Sequence, residues 1–171
     1  MHRFPLAIIL SPCLDGVTRS SESKKMPLPD FNENGDLPPG MHVAAFDEVV
    51  ARFGVGLPQR QEVTARFRVI FDLAIGTNCL ERLVIFGSYV SAVAEPNDVD
   101  IILVMRDDFR PENCPAQSRV LFDHQRADNE LGASVFWLRP DMLIGEPLDG
   151  FLSHWQFKRD GQRRGIVEIR P

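Results

Sequence analysis

The sequence comprises 171 residues, of which 44% are hydrophobic and 25% charged, with a net charge of −5 and a pI of about 5.4. This length suits one ordinary domain with a sizeable core and is short for two. The acidic balance argues against a surface built for bulk DNA or RNA binding, although it is compatible with a small local basic site. No apolar run approaches the roughly 18 residues of a membrane span, so we expect no membrane association.

The three cysteines, Cys13, Cys79 and Cys114, lie far apart and lack CxxC spacing. An odd number of scattered cysteines indicates free thiols, and neither a disulfide framework nor a zinc site. Because free thiols persist in a reducing compartment, we expect a cytoplasmic protein.

Residues 1–40 predict an extended leader that precedes a single domain at 41–171. The first residues faintly resemble a secretion signal, but their apolar run is very short and is broken by Pro5. We interpret Met26 as the natural start of the chain and residues 1–25 as an upstream extension.

Two helices are predicted at the beginning of the domain. The segment FDEVVARF, from Phe46, has apolar residues at helical spacing and is followed by Gly54, a common end of a helix. A second helix is predicted over 58–77, because Pro58 suits a first helical turn and Val63, Phe67 and Ile70 form an apolar stripe. We interpret the arginines of this second helix as solvated surface.

The rest of the sequence alternates apolar runs with helical patterns. The runs LVIF and VDIILVM predict two strands, and the loop between them has room for a short helix that starts at Ser88. Further predicted elements are a long helix over 115–131 that ends at Gly132, a strand over 133–138, a short amphipathic helix within 147–157 and a terminal strand, GIVEI. This order indicates an α/β arrangement.

The second strand carries Asp98 and Asp100 in an otherwise apolar run. Strand side chains alternate between faces, so these two carboxylates share one face with Ile102, while Ile101 and Leu103 face the other way. Neighbouring buried carboxylates repel each other, and a divalent cation relieves both the repulsion and the cost of burial. Mg²⁺ commonly takes one or two carboxylates and completes its shell with water and substrate phosphates. An edge strand with a solvated face and a calcium site are the alternative interpretations.

Gly87 and Ser88 follow the first of these two strands. A glycine at a strand end lets the backbone approach a ligand closely, because no Cβ intervenes. Ser88, at the predicted helix start, would hold phosphate through its hydroxyl and the free N–H groups of that helix. A Gly-Ser pair alone is usually a plain turn, but together with the Asp pair it predicts a site for nucleotidyl transfer.

The stretch FGSYVSAVAEPNDVDIILV resembles the Gly-Ser…Asp-x-Asp signature of the nucleotidyltransferase superfamily that includes DNA polymerase β. The resemblance covers about 58–140. Within that superfamily it is strongest to the minimal nucleotidyltransferases, small proteins of bacteria and archaea that are often the antitoxin half of toxin–antitoxin pairs. The flanks LPDFNENGDLPPGMH and RDGQRRGIVEI resemble a family of uncharacterised small bacterial proteins with the same core.

The resemblance implies an α/β (α+β) fold with a nucleotidyltransferase-like mixed sheet of about three to five strands flanked by helices. It also implies that Gly87 and Ser88 contact the triphosphate of an NTP, with ATP expected, and that Asp98 and Asp100 bind Mg²⁺ or Mn²⁺. The implied activity is transfer of a nucleoside monophosphate to a hydroxyl of a protein or RNA acceptor, with release of pyrophosphate. A cognate toxin is the further partner that the resemblance implies.

The sequence departs from the superfamily pattern at one position. Many members place a third carboxylate on the next core strand, near Ala133 or Ser134 of this chain, where it helps to bind metal and to activate the acceptor. Serine is not a general base at neutral pH. Either another residue replaces the acid, or the acceptor needs little activation, or catalysis is weak or absent.

Several other polar residues are alternatives for the site. Asp123, His124 and Glu130 are interpreted as helix surface, Asp107 and Asp108 as loop acids, and Glu168 as a lesser candidate for the missing acid. The basic cluster Lys158, Arg159, Arg163 and Arg164 is interpreted as a solvated hairpin, with a contact to nucleotide phosphate or RNA as the alternative. Trp137 and Trp155 are interpreted as core.

Three functions therefore follow from the sequence. The first is a Mg²⁺-dependent nucleotidyltransferase. The second is a nucleotide-binding or partner-binding protein of the antitoxin type with a degraded catalytic centre, which the missing acid favours and the retained Asp pair opposes. A nucleotidyltransferase that acts on small molecules is a third function, for which the chain has little room for an acceptor domain.

Overall fold

A computed structural model describes residues 27–171, and the predicted upstream extension at 1–25 lies outside them. The described residues contain five strands and four α-helices, together with short 3₁₀ segments. The strands are β1 (Gly40–Val43), β2 (Leu80–Phe86), β3 (Asp100–Met105), β4 (Ser134–Leu138) and β5 (Gly165–Ile169). The helices are α1 (Phe46–Phe53), α2 (Pro58–Ile75), α3 (His124–Leu131) and α4 (Leu148–Ser153).

The strands form one mixed sheet in the order β1-β5-β2-β3-β4. The central strand β2 runs antiparallel to both β3 and β5, whereas β1 pairs with β5 and β4 pairs with β3 in parallel. This is an α+β fold with a five-stranded mixed sheet, as the sequence predicts. The terminal strand β5 lies inside the sheet, so the two ends of the described chain meet where β5 pairs with β1.

The two faces of the sheet pack against different layers. In β3, Ile101 and Leu103 join the larger core with residues of α1, α2 and α3, while Ile102 and Val104 join a smaller core with Leu152 of α4. The predicted alternation of side chains along β3 is therefore confirmed. Because α4 covers only part of its face, the end of the sheet near Asp100 opens into a cleft.

Most predicted elements are confirmed within a few residues. Helix α1 begins at Phe46 as predicted, and α2 begins at Pro58 and ends two residues before the predicted end. Strands β3, β4 and β5 lie in the predicted apolar runs, β2 begins three residues before the run LVIF, at Leu80, and α4 lies within the predicted amphipathic segment. Strand β1 was not predicted; it follows residues that pack the buried Leu37 against the larger core.

Two helix predictions are wrong. The segment 115–131 is not one helix, since a 3₁₀ segment over Ala116–Phe122 precedes α3. The Asp123 side chain caps α3 by accepting a hydrogen bond from the backbone N–H of Arg126, and this cap starts a new helix. Gly132 ends α3 in the left-handed conformation, as expected. No helix begins at Ser88, where the structure has turns up to the start of β3.

The helix from Ser88 does not form because a buried side chain holds the backbone in turns. The Arg60 guanidinium donates to the carbonyl oxygens of Tyr89, Ser91 and Val93, in addition to that of Phe53. Carbonyl groups that accept from Arg60 are directed away from a helical ladder. The interpretation of Arg60 as solvated surface is therefore wrong: its residue is only 6% exposed.

No helix in the described part of the chain is long and apolar enough to cross a membrane. Cys79 and Cys114 are free thiols, in agreement with the sequence interpretation, and Cys13 lies outside the described residues.

Candidate functional site

The carboxyl group of Asp100 lies directly against the backbone of Gly87. Asp100 begins β3 and is paired with Phe86, the last residue of β2, so Gly87 is the first residue beyond the strand. A Cβ on Gly87 would meet Oδ2 of Asp100 at 1.9 Å, and Gly87 has a φ of +84°. Only glycine fits this position, both because of the space and because of the backbone conformation. The structure thus brings Gly87 and Asp100 together, and Ser88 lines the same cleft.

Asp98 lies close enough to Asp100 to affect its protonation. Burial, followed by the negative charge of Asp98, raises the pKa of Asp100 to about 6. The positive charges of Arg164 and Arg159 act in the opposite direction. None of the residues in the described range donates a hydrogen bond to the carboxylate of Asp100. The two arginines therefore offset only part of the cost of ionising Asp100, and a bound cation would relieve the rest.

Ser134 is one of the two residues, with Ala133, near which the resemblance implies a third acid. It begins β4 directly opposite Asp100, and its hydroxyl oxygen lies 3.2 Å from Oδ2 of Asp98, to which it donates a hydrogen bond. The strand register thus places Ser134 beside Asp100. The structure places a neutral hydrogen-bond donor there.

The other candidate acids lie elsewhere. Glu168 is on the cleft face of β5 and only 1% exposed, but it pairs with Val84 two residues before Phe86 and contacts Arg170 and Arg82. Asp123 caps α3, Glu130 pairs with Arg126, and Asp108 pairs with Arg106 at the far end of β3. Asp107 accepts from the backbone N–H of Asp141, and His124 contacts the carbonyl of Val135. None of these six groups lines the cleft with Asp100.

The cleft has a volume of about 730 Å³ and combines acidic, basic and aromatic walls. Its basic wall contains Arg159 and Arg164 from the turn that leads into β5, and Lys158 lies beside them. The Lys158 ammonium is paired with the buried Asp36 at 3.1 Å. Neither Arg159 nor Arg164 has a side-chain hydrogen bond to a residue that the structure describes, and Nε of Arg164 is buried. The basic turn (residues 158–164) is a hairpin in which Arg159 and Arg163 are exposed, in agreement with the solvated hairpin interpreted from the sequence. Lys158, Arg159 and Arg164 of this turn also line the cleft, whereas Arg163 does not.

The aromatic wall comprises the rings that line the cleft, namely Phe86, Phe136, Trp155 and Phe157. Sequence analysis missed this wall, and it interpreted Trp155 as core. Trp155 packs on Phe86 at 4.6 Å and on Phe136 at 5.1 Å, so it belongs to the core and to the cleft at once. The available signal was β4 itself, since a strand that alternates faces places Phe136 on the side of Ser134.

The profile of a family of unknown function, DUF6932, matches residues 29–170. The chain belongs to this family. No curated protein and no solved structure matches the chain. All residues of the cleft lie within the matched range, as do the residues from Asp30 onward that precede β1.

At the acidic end of this DUF6932 cleft, Asp100 and the nearby Asp98 are the side chains that would hold a divalent cation. The Gly87 backbone leaves the space that the Asp100 carboxyl occupies. Asp98 does not line the cleft, but it is near enough to act on Asp100 and would supply a second hard oxygen donor. Within residues 27–171, no group of three or more His, Cys, Asp or Glu side chains is placed to surround one ion. The protein would thus supply two carboxylates, which is the number that Mg²⁺ commonly takes when phosphates and water complete its shell.

Proposed function

We propose that this protein is a nucleotidyltransferase, which moves a nucleoside monophosphate from an NTP, with ATP as the expected donor, to a hydroxyl of a protein or RNA. The observation that most directly supports this proposal is that the Asp100 carboxyl lies against Gly87, near Asp98 and in the same cleft as Arg159 and Arg164. Carboxylates and guanidinium groups in one cleft suit a ligand that brings both a divalent cation and phosphates.

In this proposal, Asp98 and Asp100 hold Mg²⁺ or Mn²⁺. When bound, the ion neutralises negative charge on the phosphoryl oxygens. Gly87 allows the triphosphate to approach the backbone, and the Ser88 hydroxyl donates to a phosphate oxygen. The absence of a helix at Ser88 removes the N–H groups that the sequence analysis assigned to phosphate binding. In this proposal, the guanidinium groups of Arg159 and Arg164 bind the phosphates in place of those N–H groups.

The reaction is an in-line displacement at the α-phosphorus. The acceptor oxygen forms a bond to that phosphorus, the bond to the bridging oxygen breaks, and pyrophosphate leaves. Ser134 is not a base at neutral pH, so the hydroxyl proton passes to solvent. The rate enhancement then comes chiefly from positioning and charge neutralisation, and we expect slow turnover.

Labelled NTPs test this proposal. Purified full-length protein is incubated with each α-labelled NTP, Mg²⁺ and cell extract, and the label on protein and RNA is measured. We expect transfer that the Asp98→Asn, Asp100→Asn double variant abolishes. The matched control is Asp72→Asn with Asp128→Asn, which changes the net charge equally at two exposed helix positions. Absence of transfer with every NTP, or equal transfer by both double variants, would contradict the proposal.

The hydrogen bond from Ser134 to Asp98 favours a second candidate function. The Ser134 hydroxyl, near the position of the expected acid, orients the Asp98 carboxylate but provides no general base for the acceptor hydroxyl. The second candidate is therefore a nucleotide-binding antitoxin-type protein that acts by contact with a cognate toxin. Calorimetry that shows binding of Mg·ATP without any transfer would support it. Transfer that appears only in Ser134→Asp would then identify the missing acid as the reason.

A further inference from the structure

Two rings of the aromatic wall, those of Phe136 and Phe157, are exposed to solvent. Phe136 is 36% exposed on β4, whereas Val135 and Leu138 of the same strand are buried. Phe157, at the start of the basic turn, is 52% exposed. Exposed aromatic rings that gather in one concave site, beside charged groups, are characteristic of a binding surface.

These rings are held in place by their own neighbours. His124 stacks on Phe136 with ring centroids 4.8 Å apart and 23° between the planes, and Trp155 packs against the same ring. The Arg163 guanidinium lies 5.2 Å from the centre of the Phe157 ring. A wall whose rings are already ordered loses little conformational entropy when a flat ligand stacks on it.

Two unpaired guanidinium groups lie beside the wall. Arg159 and Arg164 line the same cleft as Asp100 and the aromatic rings. Lys158 is already paired with Asp36 and so is not counted with them. Aromatic faces next to cationic side chains are the combination that binds a base together with its phosphates. The cleft volume of about 730 Å³ is in the range of small-molecule sites.

We propose that Phe136, Trp155 and Phe157 form a stacking site for the base of a mononucleotide whose phosphates lie against Arg159 and Arg164. This inference rests on the proposed function for its choice of a nucleotide, but it concerns binding and does not require transfer. A mononucleotide is favoured over a longer nucleic acid because the net charge of the chain is −5 and the two guanidinium groups of this site lie in one small cleft.

The test compares a ligand that has a base with one that has none. Binding of Mg·ATP and of Mg·tripolyphosphate to the full chain is measured by calorimetry for wild type, Phe136→Leu and Phe157→Leu. We expect each substitution to weaken ATP binding about ten-fold, as the loss of one stacking partner predicts. Tripolyphosphate binding should be unchanged. Phe31→Leu, which alters a half-buried ring outside the cleft, is the control and should change neither affinity.

Fluorescence gives a second measurement that does not depend on loss of a ring. The chain has two tryptophans, so Trp137→Phe leaves Trp155 as the single emitter. We expect ATP to change the Trp155 emission and tripolyphosphate to leave it unchanged.

Different outcomes separate this inference from the proposed function. ATP binding that depends on the two phenylalanines, without any transfer of label, would support the inference and contradict the proposed enzyme. Equal loss of ATP and tripolyphosphate binding in the Phe variants, or no loss of either, would overturn the inference. Binding of a short oligoribonucleotide that is tighter than that of ATP and depends on the same rings would overturn the choice of a mononucleotide.

Discussion

Position 87 requires glycine for two reasons, its backbone conformation and its contact with Asp100, and substitutions can measure the two reasons separately. Its φ of +84° disfavours any side chain, and the Asp100 carboxyl fills the space of a Cβ. Gly145 has a similar φ of +79° but nothing within 4 Å of its would-be Cβ. Comparison of alanine at the two positions therefore isolates the contact with Asp100.

We predict that Gly145→Ala lowers the free energy of unfolding by about 1 kcal/mol, the cost of the left-handed conformation. Gly87→Ala should lower it by about 3 kcal/mol, because the carboxyl must also move. Urea denaturation measures both. The double variant Gly87→Ala, Asp100→Ala should recover the difference, and additive losses in the double variant would contradict a direct contact between these residues.

The raised pKa of Asp100 predicts that, without metal, ionisation of this carboxyl lowers the free energy of unfolding. Because the folded-state pKa of about 6 exceeds the ordinary value of 3.8, the folded protein binds more protons than the unfolded chain between about pH 4 and 6. Stability should therefore fall as the pH rises through this window and stay low above it.

We predict that Asp100→Asn raises the free energy of unfolding in EDTA by about 2 kcal/mol at pH 7.5, since the buried charge is removed. The gain should shrink as the pH falls below the ordinary pKa of 3.8 and should vanish near about pH 3, where Asp100 is largely protonated in both states. Asp128→Asn, at an exposed position, is the control and should show no such pH dependence. A gain that is equal at pH 4 and pH 7.5 would contradict the raised pKa.

At the scale of elements, Arg60 connects α2 to the segment that links the Gly-Ser turn to β3. Its guanidinium donates to four backbone carbonyls and has no carboxylate partner in the part of the chain that the structure describes. The hydroxyl of Thr64, one turn further along α2, lies 3.0 Å from that of Tyr89. These contacts fix the path of the chain between the two halves of the candidate site.

We predict that Arg60→Met lowers the free energy of unfolding by about 3 kcal/mol, because several buried carbonyls lose a charged donor. Amide hydrogen exchange over residues 89–93 should accelerate more than in the sheet. Arg68→Met is the matched control on the exposed side of the same helix and should cost less than about 1 kcal/mol. Equal losses in the two variants would show that Arg60 does not hold this segment.

The sequence correctly predicted the elements whose formation depends on neighbouring residues alone. The sequence predicts β3 because a short, β-rich apolar run follows Asp100, and α2 because its buried residues recur at helical spacing. The predicted helix from Ser88 is wrong because Arg60, 28 residues earlier in the chain, binds the backbone carbonyls of this segment. That contact exists only once α2 has packed, so the local sequence does not indicate it. The segment 115–131 is divided into a 3₁₀ segment and α3 by the side-chain cap at Asp123. The sequence did not indicate this break because the residues on both sides of Asp123 are compatible with one continuous helix.

At the scale of the molecule, the acidic half of the candidate site was predictable and the other half was not. Asp98, Asp100, Gly87 and Ser88 lie within one short stretch, and their meeting follows from two neighbouring antiparallel strands. The basic turn and the aromatic wall reach the cleft only because β5 inserts between β1 and β2. That pairing joins residues some 80 positions apart, and no local pattern in the sequence specifies it.

This arrangement places opposite charges in one cleft of an acidic protein, and it predicts how ATP binding depends on metal. Without a cation, the ionised pair of Asp98 and Asp100 repels the triphosphate while Arg159 and Arg164 attract it. We therefore predict that EDTA weakens ATP binding to wild type at least about ten-fold, a change of about 1.4 kcal/mol. The Asp98→Asn, Asp100→Asn double variant should bind ATP in EDTA more tightly than wild type does, and Mg²⁺ should not improve its binding. Calorimetry at constant ionic strength, with Asp72→Asn, Asp128→Asn as the charge-matched control, measures both effects. Metal-dependent ATP binding by the Asn double variant would place the cation away from these two aspartates.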